Sequence, residues 1–217
     1  MGVSPPGERL VRMSYVVVDV ETTGTSHRHG DRITEIAAVV VRDGKPGQPF
    51  HTLVNPERCI PPHITRITGI SREMVKGAPR FRDVSADLRA VLGEHVFVAH
   101  NAPFDWGFVR TELERAGRPP LDSRRLCTVR LARRLLSHLP RRSLDHVTAH
   151  YGIRVNGRHR ALGDAMATAI VLTRLLDDAF IRGCDTWQDL DALLRPGVAR
   201  RRRWSALPRA ASDDSSA

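Results

Sequence analysis

The sequence predicts an α/β protein in which an antiparallel part of the sheet comes first and a crossover part follows. Three strand-like runs, near residues 15–21, 32–44 and 48–56, fall within about the first quarter of the chain. After residue 81 the apolar pattern changes to a helical period, and helical and strand-like segments then alternate. This order is typical of a mixed sheet with helices on its faces.

The three early strands are predicted from their β-branched residues and from the turns between them. The run YVVVDVE (15–21) is almost entirely apolar, as expected of a central strand. The run RITEIAAVVVRDG (32–44) ends at Asp43-Gly44, which is a hairpin dipeptide. The run QPFHTLVNP (48–56) would pair back on it, so we expect an antiparallel meander.

The rest of the chain is predicted to be mainly helical, with one or two further strands. A linker rich in proline and glycine holds at most short helical turns, and a helix then runs from Phe81 to Gly93. A strand is expected at 95–100 and a helix at 101–117. A short strand and a helix share 124–139, and further helices lie at 143–152, about 161–180 and 186–194. The expected apolar face of the long helix is Leu162, Met166, Ile170, Thr173 and Leu176.

Length and composition are typical of one domain with terminal extensions. The chain has 217 residues, of which 41% are hydrophobic. We assign a disordered leader to residues 1–13, one folded domain to 14–195 and a basic, disordered tail to 196–217. The tail contains Arg200–Arg203 and Trp204, which could bind a nucleic-acid backbone or could be a solvated charge run.

Cysteine usage and charge narrow the function classes. Three distant cysteines without a CxxC pair argue against a disulfide framework or a cysteine zinc site. No apolar run has the length of a membrane span, so we expect a cytoplasmic protein without a membrane partner. The net charge of +10 favours nucleic acid as a partner. Only Lys45 and Lys76 are lysines, so a genome-wide arginine bias is the alternative explanation.

Two acidic residues in the first strand are the least expected feature. Asp19 and Glu21 are two apart, so they lie on one face of the strand, roughly 6.6 Å apart. At an effective dielectric of about 20, two charges at this spacing repel by roughly 2.5 kcal/mol. A cation must offset this repulsion, and it could be a neighbouring arginine or a metal ion.

Three further residues fall where helices begin. Asp105 lies in the first turn of the helix after the strand HVFVAH, and His159 and Asp164 bracket the start of the long helix. Taken singly, each acid is typical of an ordinary helix start, and His159 is typical of a loop histidine. His159 and Asp164 can converge only if His159 lies in the loop before the helix, because five helical residues would separate them by about 140°.

Taken together, these residues predict an oxygen-rich metal site. Carboxylates that converge where strands end and helices begin suit Mg²⁺ or Mn²⁺ rather than zinc. Two such ions, about 3.5–4 Å apart, form the clamp that cleaves phosphodiesters. A neutral histidine beside them could accept a proton from the attacking water.

The motifs VDVETTG, HNAPFD and HRALGDA, in this order, resemble the three motifs of the DEDD-histidine 3′–5′ exonuclease superfamily. The similarity runs from about Tyr15 to Phe180 and is greatest to the proofreading epsilon subunit of bacterial DNA polymerase III and its stand-alone relatives. It implies a ribonuclease-H-like fold with a five-stranded mixed sheet flanked by helices. It also implies two Mg²⁺ or Mn²⁺ ions as cofactors and release of nucleoside 5′-monophosphates from a 3′ end.

The resemblance also implies a role for individual residues. The metal-binding and catalytic acids would be Asp19, Glu21, Asp105 and Asp164, with Asp105 acting largely through water, and His159 would be the general base. The residues that would approach the terminal nucleotide are Thr22, Thr23, Ile67, Thr68, His100, Asn101 and Phe104. Relatives often carry histidine where this chain has Thr68, so a histidine contact is not expected there.

The implied substrate is a single-stranded or frayed DNA 3′ end, and a DNA polymerase is an implied partner. An RNA-directed exoribonuclease with the same sheet and motifs is the alternative among enzymes. A non-catalytic nucleic-acid-binding module on the same fold is the alternative from another class, and the complete set of four acids and His159 argues against it.

Overall fold

The computed structural model describes residues 8–195, and within them five strands form a single mixed sheet. The strands are β1 (Tyr15–Thr22), β2 (Ile33–Arg42), β3 (Lys45–Leu53), β4 (Val96–Ala99) and β5 (Arg125–Cys127). Their order is β3-β2-β1-β4-β5. The β3–β2 and β2–β1 pairs are antiparallel, and the β1–β4 and β4–β5 pairs are parallel. The predicted five-stranded mixed sheet with an early meander is confirmed.

Helices cover both faces of this sheet. In the described residues they are α1 (Pro62–Thr68), α2 (Arg72–Lys76), α3 (Phe81–Leu92), α4 (Ala102–Arg115), α5 (Thr128–Leu135), α6 (Leu144–His150), α7 (Ala161–Ile181) and α8 (Trp187–Leu194). Two 3₁₀ turns, Leu10–Arg12 and His27–His29, complete the described elements. None of these helices combines the length and the apolar character needed to span a bilayer.

The alternation along β1 separates two cores. Val16, Val18 and Val20 pack with α3 and α4 on one face, whereas Tyr15 and Val17 pack with α5 and α7 on the other. Because successive side chains in a strand point to opposite faces, residues 19 and 21 belong to the α7 face. This parity places both acids of β1 beneath the start of α7.

The pairing of β1 is unequal on its two sides. Its contact with β2 extends along the whole strand, but its contact with β4 ends at the pair Val17–Val98. The backbone of β1 beyond Val17 therefore has a free edge on the β4 side. The register with β2 shifts between Glu21 and Thr22, which bends the strand just after the second acid.

The hairpin strand β3 begins earlier than its sequence suggested. Asp43 and Gly44 have φ angles of 49° and 70° and form a two-residue turn that places Arg42 opposite Lys45. Because proline is uncommon in strands, Pro46 and Pro49 made the start of β3 difficult to recognise from the sequence. They are tolerated because β3 is the edge of the sheet.

The expectation of a disordered leader over residues 1–13 is wrong for residues 8–13. Leu10 and Met13 are buried in the α7-side core, and the amide of Leu10 donates to the carbonyl of Asp185 at 2.8 Å. The apolar residues of this short segment show no periodic pattern, but Leu10 and Met13 add to the core on the α7 side of the sheet. Residues 1–7 and the predicted tail at 196–217 lie outside the described residues.

The expected apolar face of α7 is also wrong. Ile170 is exposed, and the other residues of that face are only half-buried. The buried side is instead rich in small residues, including Ala161, Ala165 and Ala169, together with Leu172. Ala161 and Ala165 pack directly on Ala37 and Val39 of β2. Small side chains let the helix approach the sheet closely, so the buried face is not the one with the largest apolar residues.

Candidate active site

Three carboxylates meet at the N-terminal end of α7. Asp19 and Glu21 project from β1 onto the α7 face, and Asp164 lies in the first turn of α7. One oxygen from each carboxylate lies within 4.8 Å of the others. Sequence reasoning expected this convergence, which requires β1 and the start of α7 to lie against each other.

Asp105 approaches the same place from α4, but its carboxylate turns towards the backbone of β1. Its Oδ1 atom accepts a hydrogen bond of 3.2 Å from the amide of Val20. That amide lies between Asp19 and Glu21, on the edge that β4 leaves unpaired. Asp105 therefore satisfies a buried strand amide and holds β1 in register with the first turn of α4.

The clustering makes these acids difficult to ionise. Burial raises the pKa of Asp19 well above its ordinary value, and the neighbouring charges of Asp105, Asp164 and Glu21 raise it further. Burial also raises the pKa of Asp105 well above the ordinary range. The pKa of Glu21 is raised to about 7, mainly by burial and then by Asp164 and Glu35. Arg158 acts in the opposite direction on the pKa of Asp19 and Glu21 but does not offset burial and the neighbouring acids.

The donor set fits a hard divalent cation. All the converging groups are carboxylate oxygens, with neither thiolate nor imidazole in the cluster of Asp19, Glu21 and Asp164. Such ligands are typical for Mg²⁺ and Mn²⁺. Burial and neighbouring acids raise the pKa of Asp19 and Glu21 because they make a negative charge there unfavourable. A bound cation would offset that negative charge, so the same features favour cation binding.

A loop just before α7 carries the remaining charged groups. His159 lies in this loop, as predicted, with an exposed ring and a φ angle of 58°. Its backbone amide donates to Oδ2 of Asp164 at 3.3 Å. The guanidinium of Arg158 pairs with Oδ1 of Asp164 and, through Nε at 2.6 Å, with Asp145. Arg158 is thus the arginine that contacts the carboxylate cluster directly.

The predicted nucleotide-binding residues Thr22 and Thr23 use their side chains to stabilise a bend. The hydroxyl of Thr22 donates to the carbonyl of Gly24 at 2.5 Å. The hydroxyl of Thr23 donates to Asp31 at 3.2 Å and accepts from the amide of Arg32 at 3.0 Å. Both residues are buried, so neither hydroxyl is free to contact a ligand.

Ile67 and Thr68, at the end of α1, point in different directions. Ile67 is one of the exposed large apolar residues, with 57% of its surface accessible. Thr68 is buried, and its hydroxyl donates to Ile64 and accepts from the amide of Ile70, each at 3.1 Å. Of these two predicted contacts, Ile67 is therefore the one available to a ligand.

His100, Asn101 and Phe104 surround the start of α4. Both ring nitrogens of His100 are engaged, Nε2 with the carbonyl of Arg142 and Nδ1 with the hydroxyl of Thr128, each at 2.9 Å. Because a carbonyl can only accept, Nε2 carries the proton. Burial lowers the pKa of His100, which keeps the ring neutral. Asn101 is exposed with a φ angle of 90°, and Phe104 packs on Phe108.

The sequence reasoning missed a second charged group beside the cluster. Glu35 of β2 lies directly opposite Glu21 and is completely buried. Its carboxylate is bound by Arg160, His51 and the amide of Ala161. The available signal was an acid within the apolar run RITEIAAVVV, two residues after Ile33, which is the same kind of anomaly as Asp19.

The sequence matches the exonuclease family over residues 16–172. This match covers most of the chain and includes Asp19, Glu21, Asp105, His159 and Asp164. The chain belongs to the exonuclease family. The resemblance drawn from the three motifs is therefore confirmed for the family and for the fold.

The exonuclease domain is similar to curated proteins of two kinds. It is 40% identical over 208 residues to a bifunctional exonuclease/endonuclease protein of Mycobacterium tuberculosis, covering 92% of this chain and 32% of that protein. It is 37% identical over 166 residues to the 3′-5′ exonuclease DinG of Bacillus subtilis, covering 76% of this chain and 18% of DinG. The chain thus spans about a third or less of the length of these relatives.

The exonuclease domain is also similar to a solved structure of its own size. Exonuclease X, in a complex with 5′ overhanging duplex DNA, superposes with a TM-score of 0.65 and 30% identity. The similarity covers 83% of this chain and 99% of exonuclease X. The sheet and flanking helices described above are therefore similar to those of a known exonuclease.

Proposed function

We propose that this protein is a metal-dependent 3′–5′ exonuclease that removes nucleoside 5′-monophosphates from single-stranded or frayed DNA ends. The proposal rests on one observation above all. In a chain of the exonuclease family, the carboxylates of Asp19, Glu21 and Asp164 converge within 4.8 Å. The positive charge of Arg158, which pairs with Asp164, does not offset the burial and the neighbouring acids that raise the pKa of Asp19. Two relatives support the polarity and the substrate, since DinG is a 3′-5′ exonuclease and exonuclease X was solved in a complex with DNA.

In this proposal, Asp19, Glu21 and Asp164 hold two Mg²⁺ or Mn²⁺ ions, with Asp105 contributing through water. The ions would offset the charge that develops on the scissile phosphate and increase the acidity of a bound water. Asp105 has a second task, because its bond to the amide of Val20 keeps the two acids of β1 at fixed positions. The loss of either task should weaken the site.

His159 is proposed to take the proton from the attacking water. Its ring is exposed and, within residues 8–195, makes no hydrogen bond, so it is free to turn towards a substrate. An imidazole is the side chain that most often acts as a general base in proteins. The backbone bond from His159 to Asp164 keeps the loop beside the carboxylates.

The terminal nucleotide is proposed to lie between the bend at Thr22–Thr23 and the start of α4. Exposed Ile67 and half-buried Phe104 offer apolar surface to a base, and Asn101 offers an exposed amide. His100 and Thr68 would act indirectly, because their polar atoms are already bound within the protein. Association with a DNA polymerase and a cytoplasmic location stay predictions from the sequence.

The test is degradation of matched 5′-labelled DNA and RNA oligomers by the purified protein in Mg²⁺, in Mn²⁺ and in EDTA. We expect a ladder that shortens from the 3′ end, stops in EDTA and stops when the 3′ end is blocked. Faster cleavage of RNA would overturn the DNA assignment and favour the exoribonuclease alternative. Binding without cleavage in either metal would overturn the enzyme and favour a nucleic-acid-binding module.

A further inference from the structure

Glu35 is a fifth carboxylate beside the proposed metal site, and the proposed chemistry does not use it. It lies opposite Glu21 in the β1–β2 register, so both side chains point to the α7 face. It is completely buried, whereas Glu21 is half-buried. By position alone, Glu35 could have been a metal ligand.

The partners of Glu35 leave its oxygens occupied. The guanidinium of Arg160 donates from Nη2 at 2.7 Å and from Nε at 3.0 Å, one bond to each oxygen. Nε2 of His51, on β3, lies 2.7 Å from Oε1. The amide of Ala161, the first residue of α7, donates to Oε2 at 3.0 Å. Four donors to one carboxylate account for its buried charge.

These partners connect the sheet to the loop that carries His159. Arg160 follows His159 directly, and Ala161 begins the helix whose first turn holds Asp164. Glu35 therefore fixes two consecutive residues between the proposed base and a proposed metal ligand. Because its own strand pairs with β1, the same contact sets the separation between the loop and the acids of β1.

The contact also determines where the charge of Arg160 lies. Arg160 is close enough to Glu21 to lower the pKa of Glu21, although burial prevails and the net shift is upwards. If Glu35 lost its charge, the guanidinium would lose its ion-pair partner while it is still close enough to interact with Glu21. An arginine bound to Glu21 would compete with a metal ion for the same oxygens.

We propose that Glu35 is a positioning residue, which anchors the junction of the His159 loop and α7 and keeps Arg160 away from the metal ligands. This inference rests on the proposed function, because it assigns a role relative to that metal site. It predicts that Arg160 does not compete with metal binding while Glu35 carries its charge. It also predicts that Arg160 weakens metal binding when Glu35 is replaced by an uncharged residue.

The experiment is a double-mutant cycle on Mn²⁺ binding, measured by titration calorimetry of the full chain. Glu35→Gln should raise the dissociation constant about tenfold or more, as expected when a residue that supports a metal site is lost. Arg160→Met should weaken Mn²⁺ binding less than Glu35→Gln does, because the Ala161 amide still binds Glu35 and the positive charge that could reach Glu21 is removed. The double variant Glu35→Gln/Arg160→Met should bind Mn²⁺ more tightly than Glu35→Gln alone.

Glu112→Gln is the matched control. Glu112 of α4 is also a buried carboxylate with an arginine partner, since Arg32 donates to both of its oxygens at 2.5 and 3.0 Å. Loss of this pair should lower the melting temperature but not the affinity for Mn²⁺. Equal losses of affinity in Glu35→Gln and Glu112→Gln would make the effect one of general stability and overturn the proposal.

A metal-free measurement keeps the proposal testable even where Glu35→Gln is unstable. In EDTA, Arg160→Lys, which keeps the charge but loses the two-pronged geometry, should speed hydrogen exchange at the Ala161 amide relative to the parent. Unchanged exchange there, or a double variant that binds Mn²⁺ no better than Glu35→Gln, would overturn the proposal. Failure of the proposed function is distinguished from this because it would be seen in the parent protein, as an absence of cleavage.

Discussion

Glu21 and Glu35 lie directly opposite each other across β1 and β2, on the same face, yet their pKa values are shifted in opposite directions. Burial raises the pKa of Glu21 to about 7. Burial acts on Glu35 in the same direction, but hydrogen bonds from Arg160, His51 and Ala161 hold the pKa of Glu35 below its ordinary value. The charge of Glu35 is thus balanced by partners within the protein, whereas Glu21 can bind an external cation.

The first prediction concerns the stability of the metal-free protein as pH changes. A carboxyl group whose pKa is higher in the folded state favours folding while it is protonated, so its contribution is present at low pH and is lost as pH rises. For Glu21 the window runs from the ordinary value of 4.5 to about 7, and the loss is on the order of 3 kcal/mol. Asp19 and Asp105 act in the same direction.

We therefore expect the melting temperature in EDTA to fall by several degrees between pH 5 and pH 8, and Mg²⁺ to offset the fall increasingly as pH rises. Differential scanning calorimetry in matched buffers measures both effects. A melting temperature that is flat over this range in EDTA would contradict the assigned shifts.

The second prediction separates stability from activity at Asp19. Asp19→Asn removes a buried carboxyl group that is unfavourable to ionise beside other acids, so at high pH the metal-free protein should melt at a higher temperature than the parent. Cleavage should fall about a thousandfold or more, because a proposed ligand to the metal ions is lost. Asp87→Asn, on the exposed side of α3, is the control and should change neither quantity. A stable Asp19→Asn variant that still cleaves would remove Asp19 from the site.

The third prediction isolates the ring of His159. Asn is the better replacement than Ala, because His159 has a φ of 58° and Asn tolerates that region. His159→Asn should lower kcat by about 10²–10⁴-fold. It should change the Mn²⁺ dissociation constant less than twofold, because the backbone amide that binds Asp164 is kept. Equal losses of turnover and metal binding would mean that His159 is structural.

The fourth prediction concerns the close packing of the loop on α7. A Cβ atom at Gly163 would lie 2.3 Å from the carbonyl oxygens of both Asn156 and Gly157. Gly163→Ala must therefore push the loop outwards, with an expected cost of about 1–3 kcal/mol and a fall in kcat from misplacement of His159. Gly77→Ala is the control, since a Cβ there meets nothing within 4 Å. Denaturant unfolding and initial cleavage rates measure the two effects, and equal behaviour of both variants would contradict the packing.

Local pattern was sufficient for most elements because their signals lie within single segments. The β-branched run of β1, the Asp43-Gly44 turn and the amphipathic pattern of α3 each depend on neighbours in sequence. The acids and His159 could be named because three motifs occurred in a known order. Their distances could not be predicted, because Asp19 and Asp164 meet only after α7 packs on β1.

The failures have a common physical origin. Residues 8–13 have no periodic pattern, yet Leu10 and Met13 are buried by contact with elements at the other end of the domain. The buried face of α7 was predicted wrongly because small residues, Ala161 and Ala165, pack against the sheet in place of the larger apolar side chains. Each outcome depends on which surfaces meet, and a single segment carries no information on that.

By itself, the sequence determined the class of the sheet, the order of the elements and the identity of the residues that form the carboxylate cluster, because these follow from local periodicity and from motifs. Only the tertiary structure decided that Asp105 binds the amide of Val20 on the free edge of β1, and that Arg160 pairs with Glu35 rather than with Glu21. The physical reason is that a carboxylate takes its charge state from donors brought to it by the fold, and these donors lie 85 and 125 residues away along the chain.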